Sequence, residues 1–130
     1  MLNVKIITPY GLYGEFSSKI VNCRTIDGAI GLLPNHIPIV SMLEISKLEI
    51  DTVDSREVYA ISGGVIYLDD LNNVSILTDA IENARDIDIE RANKAKDRAI
   101  KDLEHYSQGK EFISADIALK RALNRLSIGG

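Results

Sequence analysis

The sequence has few aromatic residues and only one cysteine. None of its 130 residues is tryptophan, and aromatic residues make up 5% of the chain. So few rings leave little surface on which nucleic-acid bases could stack. The single cysteine, Cys23, can form neither a disulfide within the chain nor a zinc site by itself, which favours a reducing compartment.

Long apolar runs and a strong charge of one sign are also missing. No segment approaches the roughly 18 consecutive apolar residues of a membrane span, and the segment after Met1 lacks the basic-then-apolar order of a signal peptide. The net charge of −4 disfavours binding to nucleic acid. With 45% hydrophobic and 26% charged residues, the composition predicts a soluble, cytoplasmic globular protein.

The chain divides into two parts of unlike composition. Residues 1–84 carry five basic and eleven acidic residues, all three prolines and six of the nine glycines. Residues 85–130 carry ten basic and eight acidic residues. Glycine and proline punctuate short strands and turns, whereas their scarcity permits long helices. We therefore predict two domains, 1–84 and 85–130.

The first domain is predicted to be all-β, a sandwich or a barrel of seven to ten strands. Apolar and polar residues alternate at 47–51, and two runs rich in β-branched residues, 65–68 and 74–77, flank a turn-forming segment. Short strands with a turn signal about every ten residues are typical of sandwiches and barrels. The pair Gly63–Gly64 lacks the Lys-Ser or Lys-Thr of a phosphate loop and indicates a bulge or close backbone packing.

After Arg85 the apolar period becomes helical. Alanine and leucine recur every three or four residues in two segments separated by Gly109. Asp86 is the predicted N-cap of the first helix and Ser114 that of the second, with five to seven residues between the helices. This pattern predicts an antiparallel two-helix hairpin, and the fold class is α+β. Because the apolar stripes are rich in alanine, the helices are expected to dock weakly.

No set of side chains matches a catalytic or metal centre. Nucleophilic catalysis needs a serine or cysteine beside a base, and neither His36 nor His105 has such a neighbour in a known pattern. The histidines do not cluster, and Asp69–Asp70 fits a solvated hairpin tip. We therefore expect no catalytic residues and no bound metal.

Four arginines stand at helical spacing in the second domain. Arg91 and Arg98 share one helix face, and Arg121 and Arg125 share another. If the helices fold together, the four guanidinium groups favour an anion, and phosphate is their natural partner. The alternative is a solvated face whose charge is offset by the nearby aspartates Asp88, Asp97, Asp102 and Asp116.

Five segments, in order along the chain, resemble the epsilon subunits of bacterial F-type ATP synthases. They are GLLPNHIP (31–38), ISGGVI (61–66), VSILTDA (74–80), IDIERA (87–92) and ALKRALNRL (118–126). The resemblance spans essentially the whole chain and implies an all-β sandwich of about ten strands followed by a helical hairpin. It also implies a non-catalytic subunit of the central rotor stalk, peripheral to the cytoplasmic face of the bacterial cell membrane, that couples proton flow to ATP synthesis.

The resemblance further implies partners. In that family the sandwich binds the gamma subunit and the ring of c subunits, and the residues so implied here are Asp27, Ala29, Pro34, Asn35 and His36. Relatives often carry Glu where this chain has Ala29, so the contact there is expected to be apolar or to involve neighbours such as Asp27. The helices of the family can extend along gamma to the alpha/beta catalytic head and block ATP hydrolysis. No direct membrane insertion is expected.

Some members of that family bind ATP as a regulatory ligand in the folded-down hairpin. Residues 87–92 match their I-D-x-x-R-A motif at its fixed positions. The resemblance places adenine and ribose contacts near Glu82, Ile87, Asp88 and Ala92. It places phosphate contacts at Arg91, Arg98, Arg121 and Arg125.

A second functional hypothesis is a free-standing small β-sandwich enzyme or ligand carrier. Such a protein needs a polar, concave pocket that holds an acid or base of perturbed pKa. The sequence offers no candidate pair for that pocket.

Overall fold

The chain forms a β domain followed by two helices. The computed structural model describes residues 1–129, so Gly130, the last residue of the predicted second domain, lies outside the described residues. Two compact units divide between Asn83 and Ala84. The first unit contains β1 (Leu2–Thr8), β2 (Gly11–Ser18), β3 (Ile20–Thr25), β4 (Gly28–Leu32), β5 (Ile39–Asp51), β6 (Arg56–Leu68), β7 (Asn73–Leu77) and β8 (Ile81–Asn83). The second contains a 3-10 helix (Ala84–Asp86), α1 (Ile89–His105) and α2 (Lys110–Gly129).

The strands form one hydrogen-bonded sheet that closes over a single core. Its order is β2-β1-β7-β6-β5-β3-β4, and β8 pairs with β6. Leu2, Ile50 and Ile66 are fully buried, and every member of the buried core cluster comes from a strand. A sheet buries one face this completely only against a second layer, so the strands fold over one another as a sandwich. The predicted α+β class, with a sandwich before two helices, is confirmed.

The described residues contain eight strands, where about ten were predicted. The difference comes from β5 and β6, which are 13 residues long each. One end of β6 pairs with β8 and the other with β7. The pairing of β5 with β3 shifts register between Asn22 and Thr25. Because each long strand bends without ending, segments that read as separate short strands are continuous.

The bend in β6 lies at Gly63 and Gly64. Odd-numbered residues such as Ile61 are buried before the pair, and even-numbered ones such as Ile66 are buried after it. A regular strand keeps one parity on its inner face, so the switch needs an irregular backbone. Both glycines have positive φ, 81° and 126°. The pairing of β6 with β5 keeps a single register through these glycines, so they do not form a bulge. A Cβ on Gly64 would overlap the carbonyl oxygen of Leu77, so the other predicted explanation, close backbone packing, applies here.

Cys23 is a core residue of β3. It is 4% exposed, and burial raises the pKa of its thiol to about 11. The side chain therefore remains a neutral thiol at physiological pH and packs as a small apolar group.

The first helix begins two residues later than its predicted cap implied. Asp88 is the N-cap of α1, and its carboxylate Oδ1 accepts a hydrogen bond from the backbone N–H of Arg91 at 3.1 Å. Asp86 lies in the 3-10 helix instead. The prediction of Asp86 as the cap was wrong. Both aspartates precede the apolar stripe, so the sequence does not distinguish them, and the fold decides which one caps the helix.

The second helix begins earlier than predicted. Four residues, 106–109, separate the helices, and α2 starts at Lys110, so Ser114 lies inside it. Gly109 has a φ of 92°, which reverses the chain within a short connection. Its carbonyl oxygen accepts a hydrogen bond from the backbone N–H of Ile113 at 3.1 Å, so the first helical turn follows Gly109 directly.

Candidate functional site

The two helices pack along a seam of alanines. The buried side chains are Ala92 and Ala99 in α1 and Ala115 and Ala122 in α2. Within each helix the two alanines are seven residues apart, or about two turns, and therefore lie on one side. Small side chains let the backbones approach closely but bury little apolar area. The seam thus stabilises the hairpin only weakly per helical turn.

The hairpin is antiparallel, with the end of α2 beside the start of α1. A Cβ placed on Gly129 would lie 2.8 Å from Cγ2 of Ile87 and 3.1 Å from Cδ1 of Ile89. Because Gly129 has no side chain, these two isoleucines can fill the space beside it. Ile87, one of the predicted ATP contacts, is half-buried against the last turn of α2.

An open groove of about 800 Å³ runs along one side of the hairpin. Its charged lining comprises four basic and two acidic side chains, Arg91, Lys94, Arg98, Lys110, Asp102 and Glu111. Ala95, Ala99, Ala115 and Ala118 supply its apolar lining. The excess of basic over acidic groups makes the groove attractive to an anion.

Two of the four arginines predicted to contact phosphate, Arg91 and Arg98, line this groove. Both residues are exposed. Within residues 1–129 neither guanidinium group forms an ion pair, whereas the neighbouring Lys94 lies 3.7 Å from Glu90. Their charges are therefore not neutralised by the protein itself.

Arg121 and Arg125 continue the stripe of α2 that lines the groove. They follow the lining residue Ala118 by three and seven residues and so project from the same side of the helix. Nε of Arg121 is buried and has no hydrogen-bond partner in the described part of the chain. A buried donor left without a partner costs about 1–3 kcal/mol. Helical spacing thus puts Arg121 and Arg125 on the side of α2 that lines the groove, although neither is among the lining residues.

The other predicted ATP contacts have different surroundings. Asp88 is engaged as the N-cap of α1. Ala92 is 3% exposed within the alanine seam, so its side chain reaches a ligand only if the helices part. Glu82 is half-buried in β8 of the first unit, in register with Ala60. Of the predicted ATP contacts in the second unit, the groove lining includes Arg91 and Arg98 but neither Asp88 nor Ala92.

The residues predicted to contact the rotor lie first at the β3–β4 turn. Asp27 is exposed at this turn, and its backbone N–H donates to the hydroxyl of Thr25 at 3.1 Å. Ala29 is exposed on β4, opposite Arg24. Both side chains are free to meet another molecule.

The remaining predicted rotor contacts form a tight turn between β4 and β5. The backbone N–H of His36 donates to the carbonyl of Leu33 at 3.2 Å, with Pro34 and Asn35 at the central positions. Asn35 has a φ of 66°. Proline followed by a residue of positive φ is the pattern of a type II turn. Leu33 and Ile37, 55% and 77% exposed, flank this turn with apolar surface.

A row of exposed apolar side chains crosses five neighbouring strands of the sandwich. This apolar row consists of Met42, Val65, Leu77, Ile7 and Leu12, in the order in which cross-strand pairing joins them. Each member is between 36% and 60% exposed. At about 4.8 Å between strands the row is about 19 Å long. A contiguous apolar surface of this kind marks a site of interaction with another molecule.

The sequence predictions did not include the apolar row. Its local signal is a set of consecutive apolar pairs, Ile6–Ile7, Val65–Ile66 and Ile76–Leu77, in which one member is buried and the other exposed. A strand with one solvated face normally alternates apolar and polar residues, so the doublets are informative. Their alignment across the sheet depends on strand register, which no local pattern contains.

Comparison with known proteins identifies the family. Residues 1–84 match the β-sandwich domain of the ATP synthase delta/epsilon chain, and residues 85–130 match the long α-helix domain of the same chain. The chain belongs to the ATP synthase delta/epsilon chain family. The family resemblance read from the sequence is confirmed, and the hypothesis of a free-standing sandwich protein loses its support.

Two solved structures with the fold of this delta/epsilon chain come from mitochondrial ATP synthases. One is in the Euglena gracilis enzyme, described as OSCP/F1/c-ring, with a TM-score of 0.85 at 23% identity over 95% of this chain and 78% of that chain. Another is in the Tetrahymena thermophila enzyme, described as central stalk/c-ring, with a TM-score of 0.62 at 14% identity over 98% of this chain and 92% of that chain. At these identities the likeness concerns the fold.

Membership of the delta/epsilon family makes the chain a non-catalytic subunit of the rotary ATP synthase. Among residues 1–129, no three or more His, Cys, Asp or Glu side chains are grouped so as to hold a metal ion. None of the helices described for this delta/epsilon chain has the length and apolar character needed to cross a membrane.

Proposed function

We propose that this delta/epsilon chain is the epsilon subunit of a bacterial F-type ATP synthase and part of its central rotor stalk. Family membership supports a place in the ATP synthase. The related folds come from assemblies described with a c-ring, one of them as the central stalk, which supports attachment to the rotor. In this position the subunit is held at the cytoplasmic face of the cell membrane by its partners and helps to couple proton flow to ATP synthesis.

The sandwich attaches the subunit to two partners. The apolar row supplies a surface about 19 Å long that a subunit without a partner would leave in water. We assign it to the gamma subunit. The exposed β3–β4 turn with Asp27 and Ala29, and the 33–36 turn, contact the c-ring, as the family resemblance implies. The small Ala29 makes that part of the contact apolar.

The hairpin binds ATP through its arginine side. The observation that carries this proposal is the buried Nε of Arg121, which lacks a hydrogen-bond partner within the described residues. It lies on the side of the hairpin where Arg91 and Arg98 line the groove without ion pairs. A triphosphate supplies the oxygen acceptors that this donor needs and the negative charge that the guanidinium groups attract.

Replacing one of these arginines is expected to weaken ATP binding by about tenfold, because each substitution removes a charge-assisted hydrogen bond. The variants are Arg98→Ala and Arg121→Ala, and the measurement is titration calorimetry of the full chain with ATP. Lys101→Ala is the matched control. It removes the same charge from an exposed position of α1 outside the groove and is expected to bind within about twofold of the wild type.

Three results would contradict the ATP site. The first is an unchanged set of amide resonances from residues 89–129 at millimolar ATP. The second is equal ATP affinity of the wild type, Arg98→Ala and Arg121→Ala. A loss of affinity in Lys101→Ala equal to theirs would show a general charge effect in place of a site.

The hairpin also regulates ATP hydrolysis. Its alanine seam buries little area, so a packed and an opened arrangement can lie within a few kcal/mol of each other. In the extended arrangement the helices reach the alpha/beta catalytic head and block hydrolysis. ATP bound to the arginines stabilises the packed hairpin and so favours release of this block.

Deletion of residues 86–130 is expected to raise ATP hydrolysis by the reconstituted complex several-fold. The inhibitory segment is then absent, whereas the sandwich retains the apolar row and the 33–36 turn and still attaches to the rotor. Proton-driven ATP synthesis by the same preparation serves as the control and is expected to persist. Hydrolysis that does not change on deletion would rule out the inhibitory role.

A further inference from the structure

One side chain joins the 33–36 turn to the loop between β6 and β7. The backbone N–H of Asn35 donates to Oδ1 of Asn72 at 2.7 Å, across 37 positions of sequence. Asn35 and Asn72 have φ values of 66° and 63°. Asparagine tolerates this left-handed region better than most residues with a Cβ. Asn72 therefore meets a backbone requirement and also offers an acceptor to a second loop.

The position of Asn72 is itself fixed by the sandwich. Its backbone carbonyl accepts a hydrogen bond from Asn3, at the start of β1, at 2.8 Å. Oδ1 of Asp69 accepts from the backbone N–H groups of Leu71 and Asn73 at 2.8 and 2.9 Å. Hydrogen bonds from the side-chain amide and the backbone of Asn73 lower the pKa of Asp69, so this carboxylate stays ionised at neutral pH. The acceptor of Asn72 is thus held by two independent sets of bonds.

The two loops that Asn72 joins carry prominent apolar side chains. Leu33 and Ile37 flank the turn, and Leu71 stands on the β6–β7 loop at 74% exposure. Apolar groups on separate mobile loops lose conformational freedom when they bind a partner, which weakens binding. Loops that are already joined avoid most of that loss.

We propose that Asn72 is a positioning residue for attachment to the c-ring. Its side-chain oxygen holds the 33–36 turn so that Leu33, Ile37 and Leu71 meet the ring as one preformed surface. This inference rests on the proposed function, in which the turn contacts the ring. Asn72 acts through the backbone of Asn35 and not through a contact of its own with the partner.

A pair of substitutions separates the acceptor from the backbone conformation. Asn72→Gly permits the positive φ but removes the acceptor, whereas Asn72→Asp keeps a carboxylate oxygen at the same place. The probe is a reconstituted stalk of gamma subunit and c-ring. The Gly variant is expected to bind about tenfold more weakly than the wild type, and the Asp variant within about twofold of it.

A spectroscopic readout accompanies the binding measurement. Hydrogen exchange of the Asn35 amide is expected to be slow in the wild type and in Asn72→Asp and to become fast in Asn72→Gly. Equal stalk binding by the wild type and Asn72→Gly overturns the positioning role, as does an Asn35 amide that stays protected in Asn72→Gly. Failure of the Asp variant to restore binding also overturns it. If the wild type itself does not bind the stalk, the proposed attachment fails, and this role for Asn72 fails with it.

Discussion

Replacing Leu77 by glutamate is expected to weaken binding of the subunit to the gamma subunit by about a hundredfold. Leu77 is the central member of the apolar row, paired across strands with Val65 and Ile7. In the complex a carboxylate there would lose its water and face apolar groups without a partner. In the free subunit the same side chain is 47% exposed and remains solvated. Binding measured with gamma alone tests the row separately from the c-ring contact.

Val53→Glu is the matched control for this substitution. Val53 lies between β5 and β6, is 68% exposed and stands outside the row, so the same change of charge is expected to leave gamma binding within about twofold. Thermal unfolding of both variants distinguishes loss of the interface from loss of the fold. Wild-type affinity of a well-folded Leu77→Glu variant would show that the row does not bind gamma.

Replacing Gly64 by alanine is expected to lower the free energy of unfolding by about 3 kcal/mol or more. Two effects add at this position. Its φ of 126° is unfavourable for a residue with a Cβ, which costs about 1–3 kcal/mol. The new Cβ would also overlap the carbonyl oxygen of Leu77, and the backbone shift needed to relieve the overlap costs about 1–3 kcal/mol. Urea unfolding of the full chain measures the sum.

Gly28→Ala isolates the first of these effects. Gly28 has a similar φ of 120°, but no atom lies within 4 Å of the place where its Cβ would stand. The free energy of unfolding of this variant is therefore expected to fall only by the cost of the backbone conformation, about 1–3 kcal/mol. If the two variants are equally destabilised, the close approach of Gly64 to β7 has no energetic consequence.

The irregular backbone at Gly63–Gly64 shows what local sequence predicts well. Two adjacent glycines within a strand pattern indicate an irregular backbone, whichever strands are its neighbours. Glycine adopts the positive φ seen at both positions without steric cost, and this depends on the residue type alone. Helix ends were predicted less well. Asp86 and Asp88 are equally good caps by type, and the cap is Asp88 because the preceding 3-10 helix ends at Asp86.

The candidate site also has features that local sequence predicts and features that depend on packing. The spacing of Arg91 and Arg98 puts them on one helix face without knowledge of the fold. That Arg121 stands on the same side of the hairpin, with a buried and unpartnered Nε, depends on how α1 and α2 pack. For Ala92 the motif predicted a ligand contact, but it gave no sign that the packing of the helices buries this side chain in the seam.

The sequence by itself determined the division of the chain near residue 84, the order of strands followed by a helical hairpin, and the alanine stripes. Each of these depends on residue type and short-range period. Only the tertiary structure decided that β5 and β6 are continuous, that five apolar residues form one row, and that Asn72 reaches the 33–36 turn. These features join residues far apart in the chain, and their positions follow from strand register and packing, which short-range patterns do not contain.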